Sequence, residues 1–190
     1  SAVVGDGSFS AYWSKDDALI VTDMQSSANF TLTSGQGSIN GRFVGSFESG
    51  KSTLYAAYPA TAVSLVQNKL SYNIPITQSY TPVLNTNVED KIVMFGSSTD
   101  RENFTMTNAA ATICFDITLP AEEVIKSVTM TTQGVGIAGR SSLTISDSFV
   151  AAADSDILTL NYLNKPKGST SGGWATIAPV NFKSATGSVL

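Results

Sequence analysis

The chain has 190 residues, of which 42% are hydrophobic and only 14% charged, with a formal net charge of −4 and no histidine. A chain of this size makes one full domain, or one domain plus the start of another, and needs neither disulfides nor metal to fold. The acidic balance excludes nucleic acid, the scattered Lys and Arg exclude a grip on an anionic membrane, and no apolar run approaches the ~20 residues of a membrane span.

The charged fraction lies well under the ~25% usual for soluble domains. Ser, Thr, Asn and Gly fill the difference, and these favour strands, caps and turns over helix. Period-two or short apolar runs follow one another at 18–22 (ALIVT), 29–33 (NFTLT), 42–47, 53–58, 69–74 and 91–95. They continue at 103–107, 112–119, 125–131, 142–145, 157–160 and 174–178. Turn signals such as SGQGSINGR, ESGKS, SSTDREN and NKPKGSTSGG separate them. This spacing predicts an all-β sandwich or barrel. The one helix-like stretch, 121–126 (AEEVIK), is a turn or two at most.

Two motifs suggest chemistry. Gly45, Gly50, Lys51 and Ser52 match the phosphate-loop pattern G-x-x-x-x-G-K-[ST]. That chemistry needs a helix opening at Lys51, yet STLYAAYPA alternates like a strand, and Pro59 would break a helix at a cost of ~3 kcal/mol. Asp116 is the one acid placed to hold magnesium, and its apolar run continues past it to Leu119. The blander expectation is a β-hairpin turn exposing Glu48, Ser49, Gly50 and Lys51. Gly134, Gly136 and Gly139 match the dinucleotide fingerprint, with Asp154 and Asp156 near the acidic position. The next residues, RSSLTISDSFVAA, have a strand pattern, so a glycine-rich strand end or bulge is expected.

The carboxylate pairs Asp16/Asp17, Glu122/Glu123 and Asp154/Asp156 read as solvated turn acids, because strand neighbours point to opposite faces. Cys114 has no histidine to activate it and is expected as a small, semi-buried packing residue. The sequons at Asn29 and Asn103 fall within strand patterns. No catalytic, cofactor or metal residue is therefore assigned, and the expected protein is not an enzyme. Trp13, Tyr80, Tyr162 and Trp174 would be the platform of an alternative carbohydrate-binding module.

A family resemblance runs along nearly all of the chain. FSAYWSKDDALIV (Phe9 to Val21), GRFVGSF (Gly41 to Phe47) and TLYAAYPA (Thr53 to Ala60) resemble the fimbrillin-like domain of Bacteroidia-type pilins and cell-surface adhesins. YNIPITQ is similar to that family's Pro-x-x-Gln strand exit, and ENFTMTNAAATICFDITLP to its paired strands. IKSVTM and GIAGR come next in order, and GGWATIAPVNF resembles the strand that closes the first domain. Lys15-Asp16 departs from the family's small or Gly-containing step.

The resemblance implies a transthyretin-like antiparallel β-sandwich with Greek-key-type connections at 1–184, with 185–190 leading toward a second sandwich. It implies a lipoprotein precursor, display at the outer membrane as a fimbrial subunit, and partners bound by strand exchange, with host or bacterial surface glycans or proteins as further partners. Ser1 and the apolar Val189-Leu190 end read as a processed or cut chain. None of the arginines, Arg42, Arg101 and Arg140, stands out as a maturation site.

Overall fold

The computed structural model describes residues 2–5, 8–80, 92–144, 150–165, 167–168 and 170–179. Their strands, in chain order, are β1 (Ala2–Gly5), β2 (Ser8–Ala11), β3 (Ala18–Thr22), β4 (Ser27–Ser34), β5 (Arg42–Val44) and β6 (Leu54–Tyr58). Then come β7 (Ser64–Val66), β8 (Lys69–Ile74), β9 (Thr77–Tyr80), β10 (Met94–Ser98), β11 (Thr105–Asn108) and β12 (Ala111–Ile117). The last are β13 (Ser127–Thr131), β14 (Ala138–Thr144), β15 (Val150–Ser155), β16 (Ile157–Tyr162) and β17 (Thr170–Ile177). No helix occurs among the described residues, and the fold is all-β. The AEEVIK stretch forms a turn at its start and then a single bridge from Val124 to Lys167.

The chain divides into two compact units interleaved in sequence. The first comprises Ser1–Tyr72, Ile92–Ala109 and Ser142–Val150; the second comprises Asn73–Lys91, Ala110–Ser141 and Ala151–Leu190. Segment 185–190, expected to lead toward a second sandwich, lies outside the described residues.

The first unit carries a six-stranded antiparallel sheet in the order β11-β10-β6-β3-β4-β5. Its inner face follows from alternation. In β4, Ala28, Phe30 and Leu32 turn inward while Asn29, Thr31 and Thr33 stay exposed. The register sets Leu19 opposite Phe30, Leu32 opposite Phe43, Val21 opposite Ala56, and Gly96 opposite both Ala56 and Met106. One apolar stripe therefore crosses all six strands. Trp13, Leu19, Val21, Leu54, Ala56, Ile92 and Met94 form its buried centre, with Phe30, Phe43 and Tyr58 packed around them.

The second unit has no such continuous sheet. Three strands run β13-β16-β9, and β12 pairs with β17 in a separate two-stranded ladder. β13 is antiparallel to β16, but β9 runs parallel to it, pairing Tyr80 with Tyr162. Leu158, Leu160, Met130, Ile137, Ala175 and Ile177 are buried here.

Five strands carry no periodicity that a sequence reading picks up. β1, β2 and β7 have only three or four residues each. β9 (TQSY) buries a glutamine where the pattern asks for an apolar residue, and β15 (VAAADS) is built of weak strand formers.

Candidate functional site

The stretch resembling a phosphate loop sits in the unit with the six-stranded sheet. β3, β4 and β5 are consecutive antiparallel neighbours, and β6 returns to lie on the far side of β3. That spatial order, fourth strand beside the first, is the Greek-key motif. Residues 45–53 are its long connection, crossing from the sheet edge at β5 to the sheet interior at β6. The expectation of a hairpin turn is corrected here, since β5 and β6 are not paired. Glu48, Gly50 and Lys51 are exposed as expected, and Ser49 is half-buried because its hydroxyl donates to Asp23 at 2.7 Å. Ser52 leads into β6, so a strand stands where a phosphate site needs a helix N-terminus.

Four residues from the stretches at 9–21, 41–47 and 53–60 meet in one cluster: Trp13, Asp17, Phe43 and Tyr58. The Trp13 indole is 8% exposed and meets Phe43 and Tyr58 edge-on, with ring centroids 4.8 and 5.4 Å away. Such edge-to-face pairs add about 0.5–1.5 kcal/mol each beyond the area they bury. Trp13 is also tied to the β4–β5 loop: its Nε1 donates to Ile39 O at 3.1 Å and its amide to Ser38 O at 3.0 Å, while Gly37 N donates to Trp13 O at 2.8 Å. Asp17 closes the cluster from below. Its carboxylate accepts from Ser14 N at 2.7 Å and from the Tyr58 hydroxyl at 2.8 Å, and its backbone oxygen accepts from Leu32 N at 2.8 Å. The Tyr58-Pro59 bond is cis.

Asp16 adopts a backbone conformation that few side chains take. Its φ of 68° lies in the left-handed region that favours glycine. Aspartate tolerates that conformation better than most side chains, so Lys15-Asp16 can make this turn without glycine.

The Pro-x-x-Gln exit has an equally specific role in the other unit. Gln78 is 2% exposed. Its Nε2 donates to Thr176 O at 2.7 Å and to Pro75 O at 3.1 Å, while its Oε1 accepts from Thr176 N at 2.9 Å. The carboxamide behaves as a spare peptide group, pairing with both backbone atoms of Thr176 as an antiparallel neighbour would. Those atoms are thereby turned away from Thr112, the cross-strand partner of Thr176 in β12. One side chain thus sews β17 to the end of β9. The sequence holds a faint trace of this, a glutamine inside a run that otherwise reads as strand.

The remaining candidates separate. In GVGIAG, Gly134 and Gly139 have positive φ, and Ala138 opens strand β14 rather than a helix. A Cβ at Gly136 would collide with the Ala153 carbonyl, and one at Gly139 with the Asp154 carboxylate. Close approach to β15 is the reason for glycine there. Asp154 lies in β15 rather than in a turn, and its carboxylate accepts from Arg140 N at 2.8 Å and Arg140 Nε at 2.9 Å, which holds it below the usual range. No group of three or more acidic or cysteine side chains suited to a metal occurs among the described residues. Cys114 is exposed, not semi-buried as expected, because it lies on the outward-facing side of β12 between the half-buried Ile113 and Phe115. Asn29 lies inside β4, and the Asn103 carboxamide donates to Asp100 at 2.8 Å.

Three of the four rings proposed as a sugar platform are internal: Trp13, Tyr80 and Tyr162 are 8%, 7% and 2% exposed. Trp174 is half-buried. Sugar stacking needs an open ring face, and these three rings offer none.

What the six-stranded sheet does offer is its two ends. β5 and β11 are its terminal strands, with Val44 52% exposed on the first and Thr105, Thr107 and Asn108 exposed on the second. A terminal strand presents amides and carbonyls to any further strand. No protein-family model, no curated protein and no solved structure matches the chain.

Proposed function

We propose that the chain is a non-enzymatic structural or adhesive subunit of a cell-surface fimbrium, held in its assembly by β-strand addition. The observation that carries this reading is the convergence of Trp13, Asp17, Phe43 and Tyr58. These residues come from three stretches up to 45 positions apart (13 to 58), the first three of those that resemble fimbrillin-like domains. Gln78 adds to this, since the family-like Pro-x-x-Gln step also has a defined structural task.

On this reading the domain is a transthyretin-like sandwich, its precursor a lipoprotein, and its place the outer membrane. An added strand from a neighbouring subunit would gain main-chain hydrogen bonds along β5 or β11, with side-chain pockets supplying selectivity. The low charge and Ser/Thr-rich exposed faces suit a protein whose contacts are made through backbone and shape. Protease shaving of intact native cells, followed by peptide mass spectrometry and immunogold labelling, tests the proposal. Surface release with labelled filaments or surface patches is expected. A signal confined to the cytoplasmic fraction would overturn it.

A further inference from the structure

Of the asparagines in the chain only one precedes glycine: Asn40-Gly41, within SINGR. In this dipeptide the glycine amide nitrogen is unshielded by any side chain and can attack the asparagine carboxamide carbon. The structure places Asn40 and Gly41 at the end of the β4–β5 loop, with Asn40, Gly41 and Arg42 all exposed. The loop is pinned up to this point, since Ser38 N donates to Gly35 O, Ile39 O accepts the Trp13 indole, and Asn40 N donates to Ser38 Oγ at 3.1 Å. Among the described residues no hydrogen bond holds the Asn40 carboxamide. Asn40 is therefore exposed just past the turn at 36–37, next to an amide whose residue carries no side chain.

Gly41 cannot be exchanged for a residue that would slow the reaction. A Cβ there would lie 2.7 Å from Trp13 Cδ1, 2.8 Å from Leu32 Cδ1 and 2.9 Å from Phe43 Cε2, tighter than real carbon contacts. The packing of the Trp13 cluster demands glycine, and glycine after asparagine creates the reactive pair.

We infer that Asn40 is a modification site, at which spontaneous deamidation adds a carboxylate beside Arg42 and alters the backbone under Trp13. In the first step the Gly41 nitrogen, losing its proton, bonds to Asn40 Cγ, and the Cγ–NH2 bond breaks with release of ammonia. The five-membered succinimide is then opened by one water molecule. Attack at one carbonyl gives aspartate; attack at the other gives isoaspartate, whose main chain runs through Cγ and is one methylene longer. No oxidant or reductant is involved. The isoaspartate form displaces Gly41 relative to the ring atoms that confine it, so the change reaches the indole. Deamidation here depends on the Asn40-Gly41 pair and its exposure and stands whether or not the chain is a fimbrial subunit.

The test incubates the intact chain at pH 8.5 and at pH 5.5, then maps every asparagine-containing peptide by mass spectrometry. The expected result is an amide-to-acid mass gain at Asn40, at least tenfold faster than at any other asparagine, faster at the higher pH, and divided between aspartate and isoaspartate. Trp13 emission should shift in step with the isoaspartate fraction. Asn40→Gln, an exposed change that keeps the amide, should abolish both signals, while Asn40→Asp measured before incubation, ahead of its own slower isomerisation through the same succinimide, should carry the charge without the emission shift. Conversion at Asn40 no faster than at the other asparagines, or conversion without any succinimide-derived isoaspartate, overturns the inference.

Discussion

The two units solve the same problem, closing a β core, with opposite materials. In the first, an unbroken six-stranded sheet is curled around a large aromatic side chain, and Trp13 makes the contacts that join the β4–β5 loop, β5 and β6. In the second, shorter ladders meet, and a polar peg, the Gln78 carboxamide, completes the hydrogen bonding where strand pairing stops. Apolar burial is non-directional and scales with area, so a Trp can tie several elements together with little demand on geometry. A buried amide is strongly directional and tolerable only when every partner is satisfied. The first device sets how much stability a unit has; the second sets which register its strands take.

Trp13→Ala puts this contrast under the greatest strain. Removing a buried indole with two edge contacts and a main-chain bond is expected to destabilise the chain by about 3–5 kcal/mol. Denaturant unfolding would read the loss, and native-state hydrogen exchange should show protection falling first in β3 to β6. Protection lost first in β13 and β16 would refute the assignment of Trp13 to its own unit's core.

Gln78→Leu comes next. It leaves Thr176 N–H and two carbonyls without their partner and is expected to cost about 2–3 kcal/mol, from the desolvation of unsatisfied buried groups. Gln78→Asn, one methylene short, should rescue little of it. A leucine variant as stable as the parent would mean that the peg is incidental and that both units rest on apolar packing alone.

A milder change is expected at Tyr72, in the same unit as Trp13. Its hydroxyl donates to Ala109 O at 2.5 Å, and burial pushes its pKa from 10.0 up to about 12. The folded chain thus keeps this proton where the unfolded chain has lost it. The resulting stability is intact below about pH 10 and is lost as pH rises toward about 12. Tyr72→Phe should lower stability by about 1 kcal/mol at neutral pH and flatten that alkaline decline. Burial also raises Tyr80 and Tyr162 in the other unit, so part of the decline should persist. An unchanged alkaline limb in the Phe variant would show that Tyr72 is not held as the geometry requires.

Much of the strand content was legible because alternation survives wherever one face is buried: 18–22, 69–74 and 157–160 sit within or on β3, β8 and β16. Pro59 and the tyrosine alternation were enough to deny a helix after Lys51. The hairpin expected around Gly50 was not legible as an error, because local turn chemistry looks alike whether the next strand pairs beside the last or crosses to the far side of β3. Cys114 was misplaced for a related reason: alternation says which residues share a face, not which face is covered.

Composition and period are therefore enough to make this chain all-β and to group the residues that lie on a common strand face, since both follow from local sterics and the two-residue repeat. Long-range packing set the rest: the Greek-key crossing, the parallel β9–β16 pair and the meeting of Trp13, Phe43, Tyr58 and Asp17. Those depend on contacts between residues far apart in sequence, which no local pattern encodes.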